Sequence, residues 1–114
     1  MPDYDDPLVF RHEAVAGVLG LAGGAYERAD LDRLDVEVTA ASLGFSRSIT
    51  LDLTDVDFLP TLAVGTLIAL VRRAERSGVA VVLTAAPGSL AHRVLTVARV
   101  PVARPLDLGP DIAI

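Results

Sequence analysis

One stretch in the middle of the chain changes its hydrophobic period. Ile49, Leu51 and Leu53 alternate with polar residues, the period of two that is typical of a β-strand, so residues 48–53 are predicted to form one. Residues spaced three and four apart in the stretch that follows predict a helix over 61–77 with one apolar face. That predicted face consists of Leu62, Thr66, Leu67, Leu70, Val71 and Ala74. The rest of the chain is predicted to pack around this strand, short loop and helix.

The other predicted elements alternate between strands and helices. Gly44 and Gly78 are typical helix stops, and Ser89 is a typical helix N-cap. Alternation of this kind favours parallel strands joined by right-handed helical crossovers. The predicted elements are a strand over 8–10, a strand over 14–22 ended by two glycines, a helix over 26–42, a strand over 79–85, a helix over 90–99 and a short strand over 102–106.

Two local predictions concern polar residues. In the first helix an apolar stripe is predicted to be buried and the charged residues are predicted to face water. Residues 55–57 are predicted to form a polar turn after the central strand. The predicted buried stripe is Leu31, Leu34, Val38 and Ala41, and the predicted solvent-facing residues are Glu27, Arg28, Asp30, Arg33 and Glu37.

Length and composition narrow the functional class. A chain of 114 residues suits one small domain, and it has no apolar run of the roughly 20 residues that a membrane helix needs. An acidic start that is unlike a secretory signal, together with the absence of cysteine, favours the cytoplasm. The net charge of −5, with no basic stripe, argues against direct nucleic-acid binding.

The carboxylates and histidines are weak candidates for chemistry. Asp52, Asp55 and Asp57 are close in sequence, but no His or Cys accompanies them, so structural or solvated roles are favoured over a metal site. His12 and His92 each lack a second ligand at metal-binding spacing. No phosphate-loop, dinucleotide or triad motif is present. We therefore expect no catalytic activity, no metal and no cofactor.

The central stretch resembles the STAS domain family. The resemblance rests on residues 51–59, LDLTDVDFL, followed by residues 60–64, PTLAV. It implies an α/β fold with a small, mixed, mostly parallel sheet of four to five strands and helices packed mainly on one side. The domain would cover residues 8–106, between a flexible N-terminal tail over 1–7 and a C-terminal tail over 107–114.

The family resemblance implies a regulatory binding function. Many STAS domains are bacterial anti-sigma factor antagonists that bind an anti-sigma factor, which is itself a serine kinase. The acceptor serine of the switching members matches Thr61. The neighbouring family residues Asp, Ser and Gly are replaced here by Pro60, Leu62 and Ala63. The implied partner-binding residues are Asp57, Pro60, Thr61, Leu62, Ala63, Val64 and Gly65, and the implied assembly is a monomer or weak homodimer without membrane insertion.

Thr61 also has a physical argument of its own. A phosphate in the first turn of a helix lies near the positive end of the helix dipole, so the fold tolerates the charge while the surface changes. The alternative is that Thr61 is only an N-cap. The lost family residues favour one alternative function, a STAS scaffold or subunit that does not switch, such as those of lipid-transport ATPase assemblies. A less favoured alternative is a nucleotide or small-molecule binder, supported only by polar loops at the strand ends of an α/β fold. His92 and Arg93 are predicted to lie beside the Thr61 loop.

Overall fold

The computed structural model of the chain describes residues 8–12, 17–25 and 27–104. The sheet order is β1-β2-β3-β4, with β1 antiparallel to β2 and the other neighbours parallel, which confirms the predicted α/β fold. The predicted tails over 1–7 and 107–114 lie outside the described residues. The elements are β1 (Val9–His12), β2 (Val18–Gly24), α1 (Arg28–Ala41), β3 (Ile49–Phe58), α2 (Thr61–Arg76), β4 (Val81–Thr84) and α3 (Leu90–Val97).

The core lies on one face of the sheet. Leu19, Leu51 and Leu83 are register partners on the three parallel strands, and each is at most 3% exposed. Apolar residues of the helices, including Leu34 of α1 and Leu67 of α2, belong to the same buried cluster. The neighbouring register row, Val18, Thr50 and Val82, is less buried, and Val82 is 39% exposed.

The central strand is longer than its apolar alternation predicts. Residues 55–57, predicted as a turn, belong to β3, and Val56 pairs with Gly23 of β2 and is 2% exposed. The prediction was wrong because a register shift places one extra residue of β3 between two pairs with β2. The bulge separates the buried residues Leu53 and Val56 by three positions, so the period of two is lost.

Asp30 is the clearest correction in the first helix. It was predicted to face water, but it is only 5% exposed. Its carboxylate accepts hydrogen bonds from the backbone N–H groups of Glu27, at 2.9 Å, and Leu8, at 3.5 Å. Arg33 lies 3.7 Å from the same carboxylate. As part of the capping box, Asp30 is therefore a buried charged residue, and hydrogen bonds from backbone N–H groups to its carboxylate offset the cost of burial.

The ends of the sheet differ from the predictions. β2 extends through Gly24, beyond the predicted end at 22, while residues 13–16 lie outside the described part. Of the predicted final strand over 102–106, the structure describes a single parallel bridge, between Thr84 and Ala103. Among the described residues, no helix combines the length and the hydropathy that crossing a membrane requires.

Candidate functional site

The start of α2 forms a surface ridge, defined here as Pro60, Thr61 and Leu62. Pro60 has an extended backbone, with φ −74° and ψ 170°, and the helix begins at Thr61. Thr61 is exposed and Leu62 is 69% exposed. A leucine that is two-thirds exposed in the first turn of a helix presents apolar area that a partner can cover.

The rotation of the helix separates the predicted partner-binding residues into two groups. Gly65 is exposed on the same helix as the ridge, and Asp57 is exposed near the end of β3. Ala63 and Val64 are 1% and 7% exposed and belong to the core. Their side chains therefore hold the ridge in place and do not form its outer surface.

The three helices begin differently. Glu27 and Asp30 form a capping box at α1, and the Ser89 hydroxyl accepts a hydrogen bond from the His92 N–H at α3, over 3.2 Å. α2 has no side-chain cap and no acidic residue in its first turn. The interpretation of Thr61 as an N-cap is therefore wrong, because Pro60 occupies that position and has no acceptor side chain. The first turn of α2 therefore provides neither a side-chain cap nor a carboxylate of its own at the positive end of the helix.

A groove of about 610 Å³, here called the acidic groove, lies on the α1 side of the ridge. Its apolar part includes Leu31, Leu62 and Phe58, of which Phe58 is 40% exposed. Its charged residues are Glu27, Asp32 and Asp35 together with one cation, Arg28. Three carboxylates against one guanidinium make its local charge negative.

A second groove of about 460 Å³, here called the apolar groove, lies on the α3 side. Thr61 lines both grooves, so the ridge is the wall between them. Arg93 lines the apolar groove with Thr61, as predicted, whereas His92 does not line it. The other lining residues are aliphatic: Leu59, Val64, Leu90, Val94, Val97 and Ala98.

The β3 carboxylates do not converge. Asp52 Oδ1 accepts hydrogen bonds from the N–H and the hydroxyl of Thr54, over 3.1 and 2.7 Å, which is a structural role. Asp55 pairs with Arg11 at 2.9 Å, and Asp57 is exposed. Within residues 8–12, 17–25 and 27–104, no group of His, Cys, Asp and Glu has the arrangement of a metal site.

Sequence reasoning found the ridge and missed the acidic groove. Asp32 and Asp35 are three residues apart on α1, so they share one outer face, and that spacing was the available signal. Leu31 was assigned to the buried stripe, but it is only partly buried and lines the groove. The position of Phe58 depends on the bulge in β3, which the apolar pattern does not reveal.

A small mixed α/β domain whose exposed helix start separates two grooves has the architecture of a binding module. The chain belongs to the STAS domain family, since the family model matches residues 13–103. Its fold is similar to that of a crystal structure of an anti-sigma factor antagonist from Mycobacterium paratuberculosis, with a TM-score of 0.68 and 17% sequence identity. That match covers 90% of each chain.

Proposed function

We propose that this STAS domain is an anti-sigma factor antagonist that binds an anti-sigma factor of the serine kinase type through the ridge and the acidic groove. The observation that carries the proposal is the exposure of Thr61 between exposed Leu62 and Phe58 at the uncapped start of α2. The proposed role is that of a cytoplasmic bacterial transcription regulator without catalytic activity, acting as a monomer or weak homodimer.

The position of Thr61 suits a phosphorylation switch. Thr61 is exposed and its side chain does not cap α2, so a kinase that reaches the ridge does not have to break a helix cap. A phosphate there adds about two negative charges at the positive end of the helix, which the fold tolerates. Phosphorylation of Thr61 would therefore change the charge of the ridge without unfolding the domain.

The acidic groove gives that phosphate a direct effect on binding. Glu27, Asp32 and Asp35 line the groove that Thr61 also lines. A partner that complements this groove carries positive or apolar groups. Burying the phosphate charges in that interface costs desolvation free energy. Phosphorylation is expected to release the partner, which can then hold its sigma factor.

The test is an affinity capture from native lysate with wild type, Thr61→Ala and Thr61→Glu, read by mass spectrometry that includes phosphopeptides. The proposal predicts that wild type and Thr61→Ala capture a kinase-type anti-sigma factor and that Thr61→Glu loses it. Asp35→Glu is the control for side-chain size, because it lengthens a side chain on the same groove without changing the charge. Capture of no anti-sigma factor by any form contradicts the antagonist function.

A fixed adaptor is the second candidate. Its support is Leu62, which is apolar and 69% exposed at a position where the switching family members carry a hydroxyl. Such a domain would hold its partner constantly, as a scaffold or a subunit of a larger assembly. Equal capture of one partner by all three Thr61 forms, with no phosphate on Thr61, selects this function over the switch.

A further inference from the structure

The apolar groove has the composition of a small-ligand site. Its volume of about 460 Å³ falls within the range of roughly 300–1,000 Å³ that small-molecule sites occupy. Six of its eight lining residues are aliphatic, and the polar ones are Thr61 and Arg93. Val97 is 84% exposed, so apolar area in this groove contacts water.

Arg93 gives the groove a defined charge preference. Among the described residues that line the groove it alone is ionisable, and its guanidinium forms no ion pair with any residue in the described part of the chain. Residues 77–104 contain no Asp or Glu, so this segment places no carboxylate near it. A permanently charged guanidinium beside an aliphatic surface selects an anionic group with an apolar tail.

The length of the groove suits a medium-chain ligand. One wall is α3, which has eight residues and is therefore about 12 Å long. That length matches a medium-chain acyl group. A docked amphipathic helix with anchors over two turns spans about 11 Å, so its anchors fit the same wall, and the titration has to distinguish a peptide interface from a small-ligand site.

We propose that the apolar groove between α2 and α3 binds a medium-chain aliphatic carboxylate, with the tail on Leu90, Val94 and Val97 and the carboxylate on Arg93. The proposal does not rest on the antagonist function. Because Thr61 lines the same groove, a bound ligand lies directly against the ridge.

The test is an NMR titration of the purified domain, labelled with ¹⁵N, with three probes below their micelle-forming concentrations. Decanoate carries both the tail and the carboxylate, decyltrimethylammonium carries the tail with the opposite charge, and butyrate carries the carboxylate with little tail. Decanoate is expected to shift amides of residues 59–64 and 90–98 with a dissociation constant on the order of 1 mM, as typical ligand efficiency implies. The other two probes are expected to bind at least about fivefold more weakly.

Matched variants assign the two halves of the site. Arg93→Glu is expected to weaken decanoate at least about fivefold and to favour decyltrimethylammonium, whereas Arg72→Glu, an exposed arginine outside the groove, leaves binding unchanged. Val97→Asp is expected to abolish decanoate binding, and Val36→Asp is its control because Val36 is 65% exposed on α1. Both valines are exposed, so neither variant is expected to unfold the domain, and thermal unfolding checks this.

Three results overturn the proposal. The first is equal binding of decanoate and decyltrimethylammonium. The second is decanoate binding that is the same in Arg93→Glu and wild type. The third is no decanoate binding to the wild-type domain, and if Val97→Asp then also loses a captured anti-sigma factor, the groove is assigned to a protein interface.

Discussion

The two ends of α2 are built in opposite ways. At its end, Arg73 and Arg76 lie in the last turn, where cations complement the helix dipole, and Gly78 follows with φ +82°. The Arg73 guanidinium also lies 4.6 Å from the centre of the Phe45 ring. At its start, Pro60 supplies no cap and the first turn has no acidic residue.

The capped end of α2 contributes to stability, whereas its uncapped start is the proposed binding surface. A side-chain cap typically contributes ~1 kcal/mol, and α2 lacks that contribution at its exposed end. The buried residues further along the helix hold the exposed end in place. The start of α2 can therefore change its surface, by phosphate or by substitution, with little effect on the fold.

The largest expected contrast is between two leucines of α2. Leu67 is fully buried and Leu62 is 69% exposed. Leu67→Ala is expected to lower the free energy of unfolding by about 2–5 kcal/mol through lost burial and a cavity, whereas Leu62→Ala changes it by less than about 0.5 kcal/mol. Urea unfolding of both variants measures this. A destabilisation by Leu62→Ala of more than half that of Leu67→Ala would show that the ridge is part of the core.

A second contrast compares the starts of α1 and α2. Asp30→Ala is expected to cost about 1–3 kcal/mol, because it leaves the N–H groups of Glu27 and Leu8 without their acceptor. Thr61→Ala is expected to cost less than about 0.5 kcal/mol, since Thr61 caps nothing. Thermal unfolding compares them, with Asp30→Asn as the control that retains an acceptor oxygen. A similar cost for both alanine variants contradicts the description of α2 as uncapped.

The smallest contrast adds one methyl group at each end of α2. A Cβ at either Gly65 or Gly78 meets no atom within 4 Å, but Gly78 has φ +82°. Gly65→Ala is expected to stabilise the domain by about 0.5–1 kcal/mol through helix propensity, and Gly78→Ala to destabilise it by about 1 kcal/mol through backbone strain. Shifts of the same sign in the urea midpoint would contradict this account of the two ends.

Periodicity predicted most of the fold. The alternation in β3 and the Ser89 cap of α3 are local features, and each was found where the residues indicated. The apolar stripe of α2 was found at Leu67, Leu70 and Ala74, but Leu62, which was predicted to belong to it, is 69% exposed. The predictions that were wrong depend on contacts between segments that are distant in sequence. The β3 bulge is set by register with β2, and Asp30 is buried partly because it accepts from Leu8, 22 residues earlier.

The candidate site was predictable in part. The family resemblance and the change of period pointed to Thr61, and the helical rotation shows why Leu62 is exposed while Ala63 is buried. The grooves could not be predicted, because each needs two elements brought together. Phe58 of β3 and Asp35 of α1 line one groove, and Thr61 of α2 and Arg93 of α3 line the other.

The central claim is that the start of α2 binds the partner while contributing little to the stability of the fold. The most direct measurement is the affinity of the captured anti-sigma factor for purified Leu62→Asp and Val36→Asp, which each add one carboxylate at an exposed apolar position of a helix. The account predicts at least about tenfold weaker binding for Leu62→Asp, wild-type affinity for Val36→Asp, and near wild-type unfolding for both. Wild-type affinity for Leu62→Asp would contradict it.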